Sequence, residues 1–332
     1  MEPKIFLRYP TIIFLLILPF ISSATGVVLA DTTLKYVTNG ETAIKQGAQV
    51  IDVRPLEQCL KKSVRRAKCL PIADFFGPHN RLASFVNINW LLGTAGLNGN
   101  EHVLVVGNNA RERDSIAGIL YITGQKKISI LTQQMSQGGG FSERLIDSGV
   151  ERSNTRLTVY QGIARDKTII FKRELAQIVT SNTSTALVDG RSEKEFWGAK
   201  VRGLRGGHIV SARHLSYSRL RSLKTAGESI GLEDREIIIY GHNALEGFSL
   251  LTLMQAGFNI ASRVYPGGWA EWSADSNMPV DATTYPERKV EIKEPQVPGP
   301  ARTIWLLLIL AFGTGILIAT SFFFFARRWS YK

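Results

Sequence analysis

The chain has 332 residues, 44% of them hydrophobic, with 40 Lys and Arg against 28 Asp and Glu and a formal charge of +12. That hydrophobic share excludes a disordered polymer, and the length leaves room for more than one core. Two cysteines are too few for a disulfide-dense scaffold, and five histidines without ligand-like spacing leave a metal site unsupported, so no metal or cofactor is expected.

At the N-terminus, Lys4 and Arg8 precede an apolar run, Thr11–Ile21, followed by Ser22-Ser23-Ala24 and by Val28-Leu29-Ala30 before Asp31. A basic start, an apolar stretch and small residues at a cleavage point read as a secretory signal over residues 1–30. The uncharged stretch from Tyr9 to Ala30 is also long enough to stay as an anchor, and both readings stand. Beyond it, short apolar runs at Ala48–Val53, His102–Val106, Ile128–Leu131, Thr185–Val188, Glu236–Tyr240 and Arg263–Tyr265 alternate with helix-like segments. This alternation predicts an α/β fold whose mostly parallel sheet is buried between helices.

A motif appears twice. Val105-Val106-Gly107-Asn108-Asn109-Ala110-Arg111-Glu112 returns as Ile239-Tyr240-Gly241-His242-Asn243-Ala244-Leu245-Glu246, each a strand running into a six-residue loop and an apolar helix. Upstream of the copies sit Val50-Ile51-Asp52-Val53-Arg54-Pro55 and Leu187-Val188-Asp189-Gly190-Arg191-Ser192, so the repeat covers a whole domain. The expected division is domain 1 over 31–150, domain 2 over 151–285, and a linker over 286–302 containing Glu294–Pro300. Asp52 and Asp189, each two residues before an arginine, are expected to organise the turn after a strand rather than to move protons.

Cys59 falls on the helix predicted after Arg54, and Cys69 at the strand entry Ala67-Lys68-Cys69-Leu70-Pro71. In an exported domain they form a structural disulfide. The alternative is a redox or sulfur-carrying pair, its thiolates favoured by Lys61, Lys62, Arg65, Arg66 and Lys68. Overlaying the repeats sets Cys59 against Phe196 and Cys69 against His214, so an aromatic contact would replace the disulfide in the second domain.

Three blocks of the second half, Val188–Phe196, Gly206-Gly207-His208-Ile209-Val210-Ser211-Ala212-Arg213-His214 and Gly267-Gly268-Trp269-Ala270-Glu271-Trp272, together resemble the tandem rhodanese, or thiosulfate sulfurtransferase, family. In the first half Gly138-Gly139-Gly140-Phe141-Ser142-Glu143 echoes the closing block loosely. The resemblance implies two tandem α/β domains. It also implies a loop whose N–H groups converge on a cysteine persulfide, with a helix N-terminus lowering the thiol pKa. That cysteine position falls on Gly107 and on Gly241, so neither loop can form a persulfide. Where many members place an arginine, this chain has Glu112 and Glu246. Two readings stand for each: a built-in anion accepting the loop N–H groups, or an ordinary first-turn Glu stabilising its helix. His242 lacks a placed partner for catalysis, and His208 resembles a structural histidine that caps a turn. No catalytic residue is therefore expected, and both loops read as vestigial.

Near the C-terminus, Thr303–Ala326 holds 24 uncharged residues rich in Leu, Ile and Phe. At about 1.5 Å per residue it exceeds the roughly 30 Å hydrocarbon core and predicts a transmembrane helix. Arg327, Arg328 and Lys332 follow as a basic tail over 327–332, which places that end in the cytoplasm and the folded domains outside. In a bacterium this is an inner-membrane protein facing the periplasm. The expected partners are the lipid bilayer and a protein of the inner membrane or periplasm. Nucleic acid is excluded by compartment and by the absence of the glycine and aromatic spacing of RNA-binding sheets. Two functions follow from different classes: a catalytically inactive binding or assembly module, such as an accessory subunit of an inner-membrane complex, or a sulfurtransferase carrying sulfur on Cys59 or Cys69.

Overall fold

Runs of β-branched and aliphatic residues too hydrophobic to face water on either side set the architecture. A computed structural model describes residues 34–282 except 79–80, 182–183 and 233–234. In chain order the first half carries β1 (Leu34–Val37), α1 (Gly40–Lys45), β2 (Gln49–Asp52), α2 (Leu56–Lys61), β3 (Ser63–Val64) and β4 (Lys68–Cys69). It continues with α3 (Phe85–Thr94), β5 (His102–Val106), α4 (Ala110–Ile122), β6 (Lys127–Leu131), β7 (Ile146–Asp147) and β8 (Val150–Glu151). The second half carries α5 (Lys172–Thr180), β9 (Ala186–Asp189), α6 (Glu193–Phe196), β10 (His208–Ile209), β11 (Arg213–His214) and α7 (Tyr217–Ala226). It closes with β12 (Ile237–Tyr240), α8 (Ala244–Thr252), β13 (Arg263–Val264), α9 (Gly268–Ala274) and β14 (Val280–Asp281).

The first half's sheet runs β1-β6-β5-β2-β4-β8, and the second half's runs β11-β9-β12-β13. Every pairing within them is parallel, whereas the small β3–β7 and β10–β14 pairs are antiparallel. The central strands β5, β9 and β12 are buried at every residue, as strands covered by helices on both faces must be. The α/β fold with parallel sheets and flanking helices thus agrees with the sequence pattern. Edge strand β1, which pairs with β6 in register Leu34↔Ile128, carried no such apolar run and was not anticipated.

The repeated loops end in the same device. Asn109 and Asn243 are the N-caps of α4 and α8, their side-chain oxygens accepting from the Arg111 and Glu246 N–H groups. This explains the Asn that both copies share: its short acceptor satisfies a helix N–H left without an intrahelical partner. α4 and α8 then pack on each other closely enough that a β-carbon on Gly118 would stand 2.6 Å from the Phe248 carbonyl oxygen. Thr252 Oγ1 donates to the Asp114 carbonyl across the same seam, at 2.7 Å. α8 passes into a π-helical turn at Leu253–Gly257.

The expected leader (1–30), the whole linker (286–302), the apolar span 303–326 and the tail 327–332 lie outside the described residues. Among the described residues, no helix is long and apolar enough to cross a membrane.

Candidate functional site

Each central sheet delivers the same buried ion pair beside its loop. Asp52, last in β2, accepts Arg54 Nη2 at 2.5 Å and Nε at 3.0 Å, and also takes the Ser63 hydroxyl at 2.6 Å. Asp189, last in β9, accepts Arg191 Nη2 at 2.6 Å and the Tyr240 hydroxyl at 2.6 Å. In both, the carboxylate also takes the N–H two residues on, at 3.1 and 2.9 Å. A carboxylate so fully engaged holds the strand-to-loop turn and has little freedom to shuttle protons. Arg191 additionally lies over the Trp269 ring, 4.4 Å from its centroid, tying the turn to α9.

The two loops are backed alike. Behind Gly241, the Trp269 and Ala270 N–H groups donate to the Gly241 and His242 carbonyls, each at 2.9 Å. Gly268 has a φ of +58°, and a β-carbon there would lie 2.6 Å from the Gly241 oxygen, so glycine is needed for this approach. Behind Gly107, the Met135 N–H donates to the Gly107 carbonyl at 3.3 Å, and Asn108 Oδ1 accepts the Ser136 N–H at 2.7 Å. The glycine-rich 138–140 segment belongs to this backing turn.

What fills the loops differs. A β-carbon on Gly107 would meet Val53 Cγ2 at 2.9 Å and Arg113 Cγ at 3.3 Å. The Arg113 side chain, 2% exposed, lies under the loop and donates Nη1 to the Gly107 carbonyl at 2.5 Å. Burial pushes its guanidinium pKa down, partly countered by Asp114. In the second loop a β-carbon on Gly241 would overlap the Glu246 Cβ and stand 3.0 Å from its carbonyl carbon. Glu246 is 8% exposed; Oε2 accepts the His242 N–H at 2.8 Å and Oε1 accepts Arg202 Nη2 at 2.8 Å, with Arg111 Nη1 from the other half at 3.7 Å. Glu246 thus both turns its carboxyl group into the loop and stands in the first turn of α8.

Glu112 does only the second. Its one described hydrogen bond is from Asn109 Nδ2 at 3.5 Å, and burial raises its pKa. The difference lies in the neighbours: Arg202 and Arg111, which meet the Glu246 carboxylate, have no counterpart bonded to Glu112 among the described residues.

His242 Nδ1 is buried without a hydrogen-bond partner among the described residues, and burial, with Arg202 nearby, lowers the ring's pKa. A neutral ring with no orienting carboxylate is poorly equipped as a general base. His208 Nδ1 meets the Phe196 carbonyl at 3.0 Å and its ring stacks on Phe196 at 3.7 Å, a packing role. Among the described residues no cluster of His, Cys, Asp and Glu is suited to a metal ion.

Cys59 and Cys69 are bonded to each other, both fully buried, with the Gly149 N–H donating to the Cys59 carbonyl at 3.0 Å. The register explains the swap in the second half. Cys69 sits opposite Asp52 and His214 opposite Asp189, and His214 faces Phe196 with centroids 5.0 Å apart. Sequence reasoning missed Arg113 and Arg202. The first was hidden in the charged opening turn of an otherwise apolar helix; the second lies in the basic run from Lys200 to Arg205, whose sequence gives no sign of a contact with the distant Glu246.

These two parallel-stranded units, with loops capped by helix N-termini at the strand ends, define an α/β protein of parallel sheets flanked by helices. Residues 172–275 match the family described as Rhodanese-like domain. A relative described as "Putative thiosulfate sulfurtransferase" from Synechococcus elongatus is 26% identical over 223 residues, covering 60% of this chain and 66% of the relative. The match thus spans just under two thirds of that protein. Among solved structures, YnjE is 17% identical with a TM-score of 0.59, covering 77% of this chain and 69% of that one. Tum1 from Saccharomyces cerevisiae is 15% identical with a TM-score of 0.58, covering 74% and 95%. Wild-type EanB is 15% identical with a TM-score of 0.61, covering 76% and 70%. At these identities the solved structures establish a shared fold.

Proposed function

We propose that this is a tandem rhodanese-like protein in which glycine has replaced the catalytic cysteine of both domains, and that it is a non-catalytic binding or assembly module. We further place it at the inner membrane, anchored through Thr303–Ala326 with its domains outside the cytoplasm, as an accessory subunit of a membrane complex. The observation that carries the reading is the state of the two loops. The ground a nucleophile would occupy is taken by Val53 and Arg113 in one and by Glu246 in the other. A β-carbon at Gly107 presses on Val53 and Arg113 and one at Gly241 on the Cβ and main chain of Glu246, while the Glu246 carboxylate held in the second loop opposes the approach of thiosulfate.

The sulfurtransferase alternative through Cys59 or Cys69 is opposed by their pairing and full burial, since the reactive form is an accessible thiolate. A buried disulfide also suits an oxidising compartment, in keeping with export.

The test is thiocyanate formation from thiosulfate and cyanide by the purified full chain in detergent. No turnover is expected from the wild type or from Gly241→Cys, whereas Gly241→Cys with Glu246→Arg regains a measurable rate. Wild-type turnover lost in Cys59→Ser or Cys69→Ser would reverse the conclusion. Equal rates in the single and double variants would remove Glu246 as the barrier. A mild-detergent pull-down through the C-terminal segment is expected to bring down a stoichiometric protein companion.

A further inference from the structure

Beside the sealed second loop lies an open cavity of about 690 Å³, within the roughly 300–1,000 Å³ range of small-molecule sites. Both halves build it: Leu82 and Phe85 come from the first, and Ile169, Phe171 and Tyr265 from the second. Its position follows from the chain, because α3, α5 and α8 all begin at its wall, with Ser84, Phe171 and Asn243 as their N-caps.

Phe171 is the anomaly. N-cap positions favour Ser, Thr, Asp or Asn, whose side chains satisfy helix N–H groups, yet Phe171 makes no cap bond and leaves 70% of its surface in water. An aromatic ring that neither caps nor packs is disadvantageous unless something covers it. Facing the same space, Tyr265 donates its hydroxyl to Glu271 Oε2 at 2.6 Å, so a carboxylate is held at the edge of an aromatic wall. Asp166 adds a second carboxylate to the lining, against one guanidinium, that of Arg81. Lys172, next to Phe171, gives its ammonium to Asp275 at 2.9 Å, so its hydrogen bond is spent there although its charge is also felt by Glu271.

Aromatic faces beside a carboxylate favour a positive charge on an apolar body, through the ring quadrupole and direct Coulomb attraction. We propose that this cavity binds a small organic cation, an ammonium group carried on an aromatic or aliphatic body, with the body against Phe85 and Phe171 and the ammonium at Glu271. The preference is the reverse of what an anion-handling sulfurtransferase pocket would show. The proposal rests on the reading of the protein as a binding module, but the two are tested by different measurements, one of turnover and one of binding.

The experiment titrates three ligands sharing one ring, tryptamine, tryptophol and indole-3-acetate, into the full chain in detergent, followed by ligand-observed NMR. Tryptamine is expected to bind roughly fivefold more tightly than tryptophol, and indole-3-acetate most weakly. Glu271→Gln keeps an acceptor for Tyr265 and is expected to bring tryptamine down to the tryptophol level. Phe171→Ala, at an exposed position that does not threaten folding, is expected to weaken all three. Indole-3-acetate binding as well as tryptamine, no saturable binding of any probe, or an unchanged ranking in Glu271→Gln would each overturn the proposal. The thiocyanate assay is independent of these outcomes, so a failed titration leaves the non-catalytic reading standing, and turnover leaves the cavity's ligand class standing.

Discussion

At the scale of single residues, the two loop glycines, Gly107 and Gly241, are not equivalent, and their difference is measurable. Gly107 has neighbours that can yield: Arg113 Cγ at 3.3 Å belongs to a long side chain, although Val53 Cγ2 at 2.9 Å is less free. Gly241 faces the Cβ and main chain of Glu246, atoms fixed by the first turn of α8. Overpacking against fixed atoms costs about 1–3 kcal/mol. Gly241→Ala is therefore expected to lower thermal stability by that order and Gly107→Ala by clearly less, read from the unfolding midpoints. Equal losses would mean that the second loop is as compliant as the first. The glycines themselves were legible in the sequence, because the duplicated motif fixed their place. The occupants were only half so. Glu246 could be named because its position is defined by the loop, but Arg113 acts by folding back beneath Gly107, and a helix pattern does not say which way a long side chain turns.

At the scale of elements, hydrophobic periodicity revealed the central strands because those strands are buried on both faces and have no polar alternation to confuse the pattern. It failed for β1, whose Lys35 and Tyr36 break the apolar run at the sheet edge, and for two-residue strands such as β11, too short to carry a period. It also gave no hint of the polar group between α4 and α7. Asp114 on α4 is 1% exposed and accepts the Tyr217 hydroxyl at 2.8 Å, with Arg221 Nη1 at 3.5 Å. Arg113 and Tyr36 face it from α4 and β1, and Lys224 of α7 lies over the Tyr36 ring. Burial lifts its pKa to about 6 from an ordinary 3.8, the hydroxyl and Arg221 opposing only in part. Because the folded value is the higher one, this group's contribution is fully present below about pH 3.8 and is lost as the pH rises through 6. Two pKa units correspond to roughly 3 kcal/mol, an upper bound for a group so coupled to its neighbours. Asp114→Asn should leave the carboxamide bonded to Tyr217 and remove the titration. The stability difference, wild type minus variant, is then expected to fall between pH 4 and pH 8; a flat difference would exclude Asp114 as the titrating group.

At the scale of the whole molecule, the question is whether the two sheets stand or fall together. A single hydrophobic cluster runs from Leu34, Ile51 and Val105 in the first half through Ile116 and Leu120 of α4 to Phe248, Leu251 and Val264 in the second. Helices that bury one face on their own sheet and the other on each other cannot lose one sheet without exposing the second. The narrowest point of that seam is Gly118, where any side chain would press on the Phe248 carbonyl and, at 3.0 Å, on Thr252 Oγ1, the hydroxyl already bonded to Asp114. A branched residue there must push α4 and α8 apart, at a cost of about 1–3 kcal/mol. Since the cost falls on the shared seam, Gly118→Val is expected to lower the protection of amides in β5 and in β12 by similar factors, as followed by hydrogen exchange. Loss confined to β5 would mean that the halves unfold independently. In that case the cavity built from both halves would be a contact between separable domains and not a fixed site.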